Sequence, residues 1–119
     1  MSETFNWCHD KTKLATWDKA VFCIDECGDK WWYLNGKQHR ENGPAIEDAN
    51  GNKRWYLNGK RHRVDGPAVE YANGTKEWYL NGELHRVDGP AFEFANGCKL
   101  WYFNGKRYSE SDYWKELKK

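Results

Sequence analysis

The chain is short of the residues that build most cores. Leu, Ile, Val and Phe together make up only about 15% of its 119 residues, a share at which disorder competes with folding. The longest uncharged apolar stretch, Ala20 to Ile24, falls far below the ~20 residues of a membrane-spanning helix. An excess of one charge sign is also missing: 19 Lys and Arg stand against 18 Asp and Glu, a net charge of +1. That balance disfavours nucleic acid and membrane surfaces as partners and removes the self-repulsion that keeps charged chains expanded. No leader or targeting motif is visible, so a cytoplasmic location is the expectation. The four cysteines, Cys8, Cys23, Cys27 and Cys98, lack the close, even spacing of a disulfide scaffold, and reduced thiols are expected.

What the chain has instead is aromatic area. It carries 8 Trp, 7 Tyr and 5 Phe, whose rings supply large buried surface where aliphatics do not. Most fall in one unit that recurs every 23 residues, the signature of a stacked repeat. Trp32-Tyr33-Leu34-Asn35-Gly36 returns at Trp55 to Gly59, at Trp78 to Gly82 and, with Phe103 for leucine, at Trp101 to Gly105. His39-Arg40, His62-Arg63 and His85-Arg86 follow in register, then Gly43-Pro44-Ala45, Gly66-Pro67-Ala68 and Gly89-Pro90-Ala91, then Ala-Asn-Gly at 49–51, 72–74 and 95–97.

Asn-Gly between alternating strands signals a hairpin, because a type I′ turn needs positive φ at both central residues. Gly36, Gly59, Gly82 and Gly105 are such turn positions, and each unit has a second Asn-Gly after its Ala-x-Glu run. Residues 68–71 and 75–80 read as two antiparallel strands joined at Asn73-Gly74. A lone hairpin cannot bury its apolar face, so the units are expected to stack into one continuous sheet. Trp32, Trp55, Trp78 and Trp101 would form a structural ladder along it.

The fold expected is therefore all-β: a single-layer antiparallel sheet of stacked β-hairpin repeats. An irregular N-terminal cap is expected over 1–19 and a repeat array over 20–108, with units near 20–31, 32–54, 55–77 and 78–100 and a partial one at 101–108. A short C-terminal capping helix over 109–119 is signalled by Ser109-Glu110-Ser111-Asp112, with an acid three residues after serine. About eight strands at 4.7–4.9 Å each would give a sheet roughly 35–40 Å long.

The 23-residue period, the Asn-Gly-Lys turn and the aromatic strand ending in Asn-Gly resemble MORN repeats, above all a MORN-like variant of bacterial and bacteriophage proteins. The resemblance covers roughly residues 20 to 108. The chain departs from the commoner pattern by placing Arg40, Arg63 and Arg86 where glycine often stands, and by the Gly-Pro-Ala step. With a short helix after the last unit, its wording is most similar to small bacteriophage proteins. The resemblance implies an interaction scaffold, and a host protein, such as a defence component that it inhibits, as the partner.

Several columns carry candidate chemistry. His39, His62 and His85, with Tyr108 in the fourth position, could bind a metal or sense pH. Equivalent residues lie about 10 Å apart, however, at two strand spacings of 4.7–4.9 Å, too far for one ion to collect the column. Arg40, Arg63 and Arg86 could comb phosphates, or could brace the sheet by pairing with Glu47, Glu70 and Glu93 or stacking on Trp rings. Tyr56 and Tyr79, between basic residues, are further candidates for a partner surface. Cys8, His9, Cys23 and Cys27 could hold zinc, but their spacing is looser than paired Cys-x-x-Cys motifs, and neither metal nor cofactor is expected.

Threefold equivalent units do not readily build one asymmetric catalytic pocket, so no enzyme is expected. The first functional reading is a protein-binding module using one sheet face, whose ~600 Å² approaches the ~800 Å² per partner of a standard interface. Alternatives are sequestration of a nucleotide or other phosphorylated small molecule on the arginine column, and peripheral binding of lipid headgroups. A monomer or weak dimer is expected, since open sheet edges can pair.

Overall fold

Asn-Gly turns set the path of the chain. A computed structural model describes residues 6–8 and 20–119. Asn35, Asn58, Asn81 and Asn104 all have φ between 51° and 53°, and the glycine after each is also left-handed, as a type I′ hairpin requires. The second Asn-Gly of each unit is different. Gly51, Gly74 and Gly97 have positive φ, whereas the asparagines before them do not, so the expectation of type I′ turns here is corrected. Gly51 N–H donates to Asp48 O at 3.0 Å, and Asp48 Oδ1 accepts from the N–H groups of Asn50 and Asn52. A right-handed turn closed by a left-handed glycine results. In the later units Asn73 and Asn96 take over, accepting from Thr75 N and Cys98 N.

Among the described residues fifteen strands and one helix follow. They are β1 (Asn6–Cys8), β2 (Ala20–Ile24), β3 (Lys30–Leu34), β4 (Lys37–Gln38), β5 (Ile46–Glu47), β6 (Lys53–Arg54), β7 (Tyr56–Leu57) and β8 (Lys60–Arg61). Then come β9 (Val69–Glu70), β10 (Lys76–Glu77), β11 (Tyr79–Leu80), β12 (Glu83–Leu84), β13 (Phe92–Glu93), β14 (Lys99–Phe103), β15 (Lys106–Tyr108) and α1 (Glu110–Leu117). The main sheet has eleven strands in the order β1-β2-β3-β5-β6-β9-β10-β13-β14-β15, with β4 paired to β3. It is antiparallel except for β1, which lies parallel to β2. Of the expected N-terminal cap, only this edge strand is described; residues 1–5 and 9–19 lie outside the described residues.

More strands form than the eight expected, and those of the middle units are only two residues long, because these units fork. The Trp55 N–H donates to Ala68 O in the main ladder, whereas Trp55 O accepts from His62 N in the side hairpin β7–β8. Trp78 does the same with Ala91 and His85, handing the chain on to β11–β12. Each of these units thus has two hairpins rather than one. The side hairpins are tied along the array by Arg63 N to Tyr79 O and by Gly82 N to Arg61 O.

Alternation then sorts side chains onto two faces. Lys30, Glu47, Lys53, Glu70, Lys76, Glu93 and Lys99 lie in one cross-strand row of alternating charge. The Trp and Arg columns share that face. The opposite face carries the row Ile46, Arg54, Val69, Glu77, Phe92 and Leu100 together with the tyrosine column. The thin core runs between them through Ala45, Ala68 and Ala91, all fully buried, beside Val69.

Helix α1 closes the array as expected. Ser109 Oγ caps it by accepting from Asp112 N at 3.2 Å, and Tyr113 is its one buried residue.

Candidate functional site

Arg40, Arg63 and Arg86 occupy three copies of one site. Each guanidinium lies over the tryptophan eight residues earlier, its carbon 3.8–3.9 Å from the ring centroid of Trp32, Trp55 or Trp78. A terminal nitrogen of each donates to the carbonyl of Pro44, Pro67 or Pro90 at 3.0–3.2 Å. The same nitrogen faces Glu47, Glu70 or Glu93 at 3.6–3.8 Å. Arg63 and Arg86 also pair through Nε with Asp65 and Asp88, at 3.1 and 2.9 Å. Stacked cation–π contacts contribute roughly 0.5–2 kcal/mol each, and in Arg63 and Arg86 both Nε and one terminal nitrogen meet acceptors. Gly66 and Gly89 permit this approach: a Cβ on either would sit 2.9 Å from the guanidinium carbon.

The histidines bind neighbouring units together. The Nδ1 atoms of His39, His62 and His85 accept from the backbone N–H of Asn58, Asn81 and Asn104 at 2.9–3.0 Å, a role open only to a nitrogen without a proton. Burial, against the ring of Phe103 at 4.8 Å, lowers the His85 pKa below its ordinary value, with the Glu83 carboxylate opposing. The unfolded chain therefore takes up a proton at His85 near pH 6.5 while the folded chain still resists it. Stability is expected to fall as pH drops through and below 6.5, read as a lower Tm, and His85→Gln, whose amide oxygen can still accept, should flatten that slope. An unchanged slope would refute this assignment.

Tyr56 and Tyr79 lie on the opposite face. Tyr56 Oη accepts from Arg61 Nε at 3.3 Å, and Tyr79 Oη accepts from an Arg61 terminal nitrogen at 3.2 Å while donating to Glu77 Oε1 at 2.7 Å. Burial and the adjacent Glu77 carboxylate push the Tyr79 phenol up to about 12, so it is a neutral donor at any ordinary pH. Of the cysteine candidates, Cys23 is buried and Cys27 is exposed. Cys8 lies in register with Cys23 across β1 and β2, and His9 lies outside the described residues. Among the described residues no group of three His, Cys, Asp or Glu is placed to hold a metal.

Two surface features went unseen in the sequence. The Gly-Pro loops of successive units stand apart and leave two like grooves between them, of about 670 and 680 Å³. Trp55 and Leu57 line the first, Trp78 and Leu80 the second. At the loop tips Val64 and Val87 are 83% and 60% exposed. A branched apolar residue inside a polar Arg-x-Asp-Gly turn was the available signal.

No family model matches the chain, and neither a curated protein nor a solved structure does. No helix among the described residues is long and apolar enough to cross a membrane.

Proposed function

We propose that this protein is a non-enzymatic binding module that holds a protein partner against the loop-lined face of its repeat sheet. One observation carries the reading: two like grooves lie side by side, flanked by Val64 and Val87 held out in water. Exposed branched side chains gain free energy only when something covers them, at roughly 25 cal/mol per Å². The arginines of the same face support a protein over a phosphate. An incoming phosphate would have to displace Asp65 and Glu70 from Arg63, or Asp88 and Glu93 from Arg86. The resemblance of the units to small bacteriophage proteins extends the proposal to a host protein, held inactive by this face.

The immobilised protein, exposed to a lysate of its natural host, is expected to retain one protein in a fixed ratio. Val64→Asp with Val87→Asp should abolish retention while circular dichroism and melting stay as in the parent. Retention of no protein, with a phosphorylated small molecule on the parent by native mass spectrometry, would sink the reading.

A further inference from the structure

The two grooves repeat with the sheet, and their spacing restricts what can enter both. Successive units are two strands apart, about 9.4–9.8 Å at 4.7–4.9 Å per strand. An extended β-strand presents same-side residues every ~6.6 Å, and an α-helix presents neighbouring turns at ~5.4 Å. Neither spacing matches. A polyproline II helix rises 3.1 Å per residue with three residues per turn, so every third side chain returns to the same side after about 9.3 Å.

We propose that the segment bound on this face is a proline-rich stretch in the polyproline II conformation, with an apolar side chain at every third position and basic residues at its ends. It would run along the array, placing two successive apolar side chains in the two grooves. This rests on the reading that the loop-lined face binds a protein.

The groove chemistry agrees with the spacing. Pro67, Trp78, Leu80 and the two valines give the second groove an apolar lining. The indoles of Trp55 and Trp78 line the two grooves, one in each, and an indole N–H can only donate. Polyproline II makes no internal hydrogen bonds, so its carbonyls are free to accept from such donors.

Charge chooses the ends of the segment. On each loop the arginine lies over a tryptophan with its side chain only 24% or 21% exposed, so the charge held out at the tips is carboxylate. The outermost of these groups, Asp65 and Asp88, are 86% and 78% exposed, and Glu41 on the preceding loop is 70% exposed. The lysines of this face, Lys53 and Lys76, lie across the sheet beside Glu47, Glu70 and Glu93 instead of on the loop tips.

The probe is a fluorescein-labelled decapeptide, KPPLPPLPPK, titrated with the full chain by fluorescence anisotropy. Its isomer KPLPLPPPPK keeps the composition and shortens the leucine spacing to two residues. The first peptide is expected to bind at least tenfold tighter than the second, and tighter than EPPLPPLPPE. Val64→Ser with Val87→Ser should weaken it at least tenfold without changing the melt. Equal binding of the isomers, no binding of KPPLPPLPPK at millimolar protein, or indifference to the valine substitutions overturns the proposal. If a host protein is still captured through Val64 and Val87 in that case, this inference fails alone. If capture fails too, the reading beneath it has failed.

Discussion

Replacing Tyr113 by alanine is expected to lower the unfolding free energy by about 3–5 kcal/mol, the usual cost of removing a large buried ring. Tyr113 is fully buried although it sits on a short surface helix. Its place explains why. In each complete unit an arginine lies over the tryptophan, but Ser109 stands where the arginine over Trp101 would be. Tyr113 and Trp114 fill that position, with ring centroids 5.0 and 5.7 Å from Trp101. The Tyr113 hydroxyl donates to Arg86 O and accepts from Gly89 N, tying the cap to the last complete Gly-Pro loop. Tyr113→Phe keeps the ring and leaves those two groups without their partner, which should cost about 1–2 kcal/mol. Urea unfolding with an unchanged m-value measures both. A loss below about 1 kcal/mol for Tyr113→Ala would show that the last unit closes without its cap.

The parts of this architecture that were legible in the sequence are those set by local chemistry repeated in register. Asn58-Gly59 after Trp-Tyr-Leu dictates a type I′ turn within four residues. Arg63 recurs eight residues after a tryptophan and seven before a glutamate, so stacking and pairing could be read from spacing alone. The second turn was misread because a side chain decides it: Asp48 or Asn73 accepts from the turn backbone and spares the asparagine a left-handed φ. The fork at Trp55 was not legible either, since it depends on Ala68 in the next unit. Nor was a third column that joins the units. Asp29, Asn52 and Thr75 accept from the N–H groups of Ala49, Ala72 and Ala95. Their chemistry changes from carboxylate to amide to hydroxyl, so the eye finds no repeat where the geometry has one. The grooves are spaces between loops, and no residue pattern encodes a space.

The tyrosine face is where otherwise similar units become distinct, and it carries the second large effect. Glu77 is only 4% exposed, yet it bears a carboxylate, held by Tyr79 at 2.7 Å and facing Arg61 at 3.9 Å. The equivalent positions one unit later are Leu84 and Leu100, and one unit earlier Gln38 and Arg54. The opposite-charge pair at these positions is thus particular to this junction. A slip of one unit would set Arg61 toward Leu100 or bury Glu77 against Leu84, leaving a charge without its counterpart. Arg61→Leu is expected to cost about 3 kcal/mol, since Glu77 stays buried with one phenol. Glu77→Leu should cost about 2 kcal/mol, because the half-exposed Arg61 regains water. The double substitution copies the Leu84–Leu100 junction that this fold already accommodates, and should return to within about 1 kcal/mol of the parent. The coupling in that double-mutant cycle, about 4 kcal/mol by these figures, is the quantity to measure. Two single losses that simply add would mean that the pair does not act as a unit and that stacking order is set elsewhere.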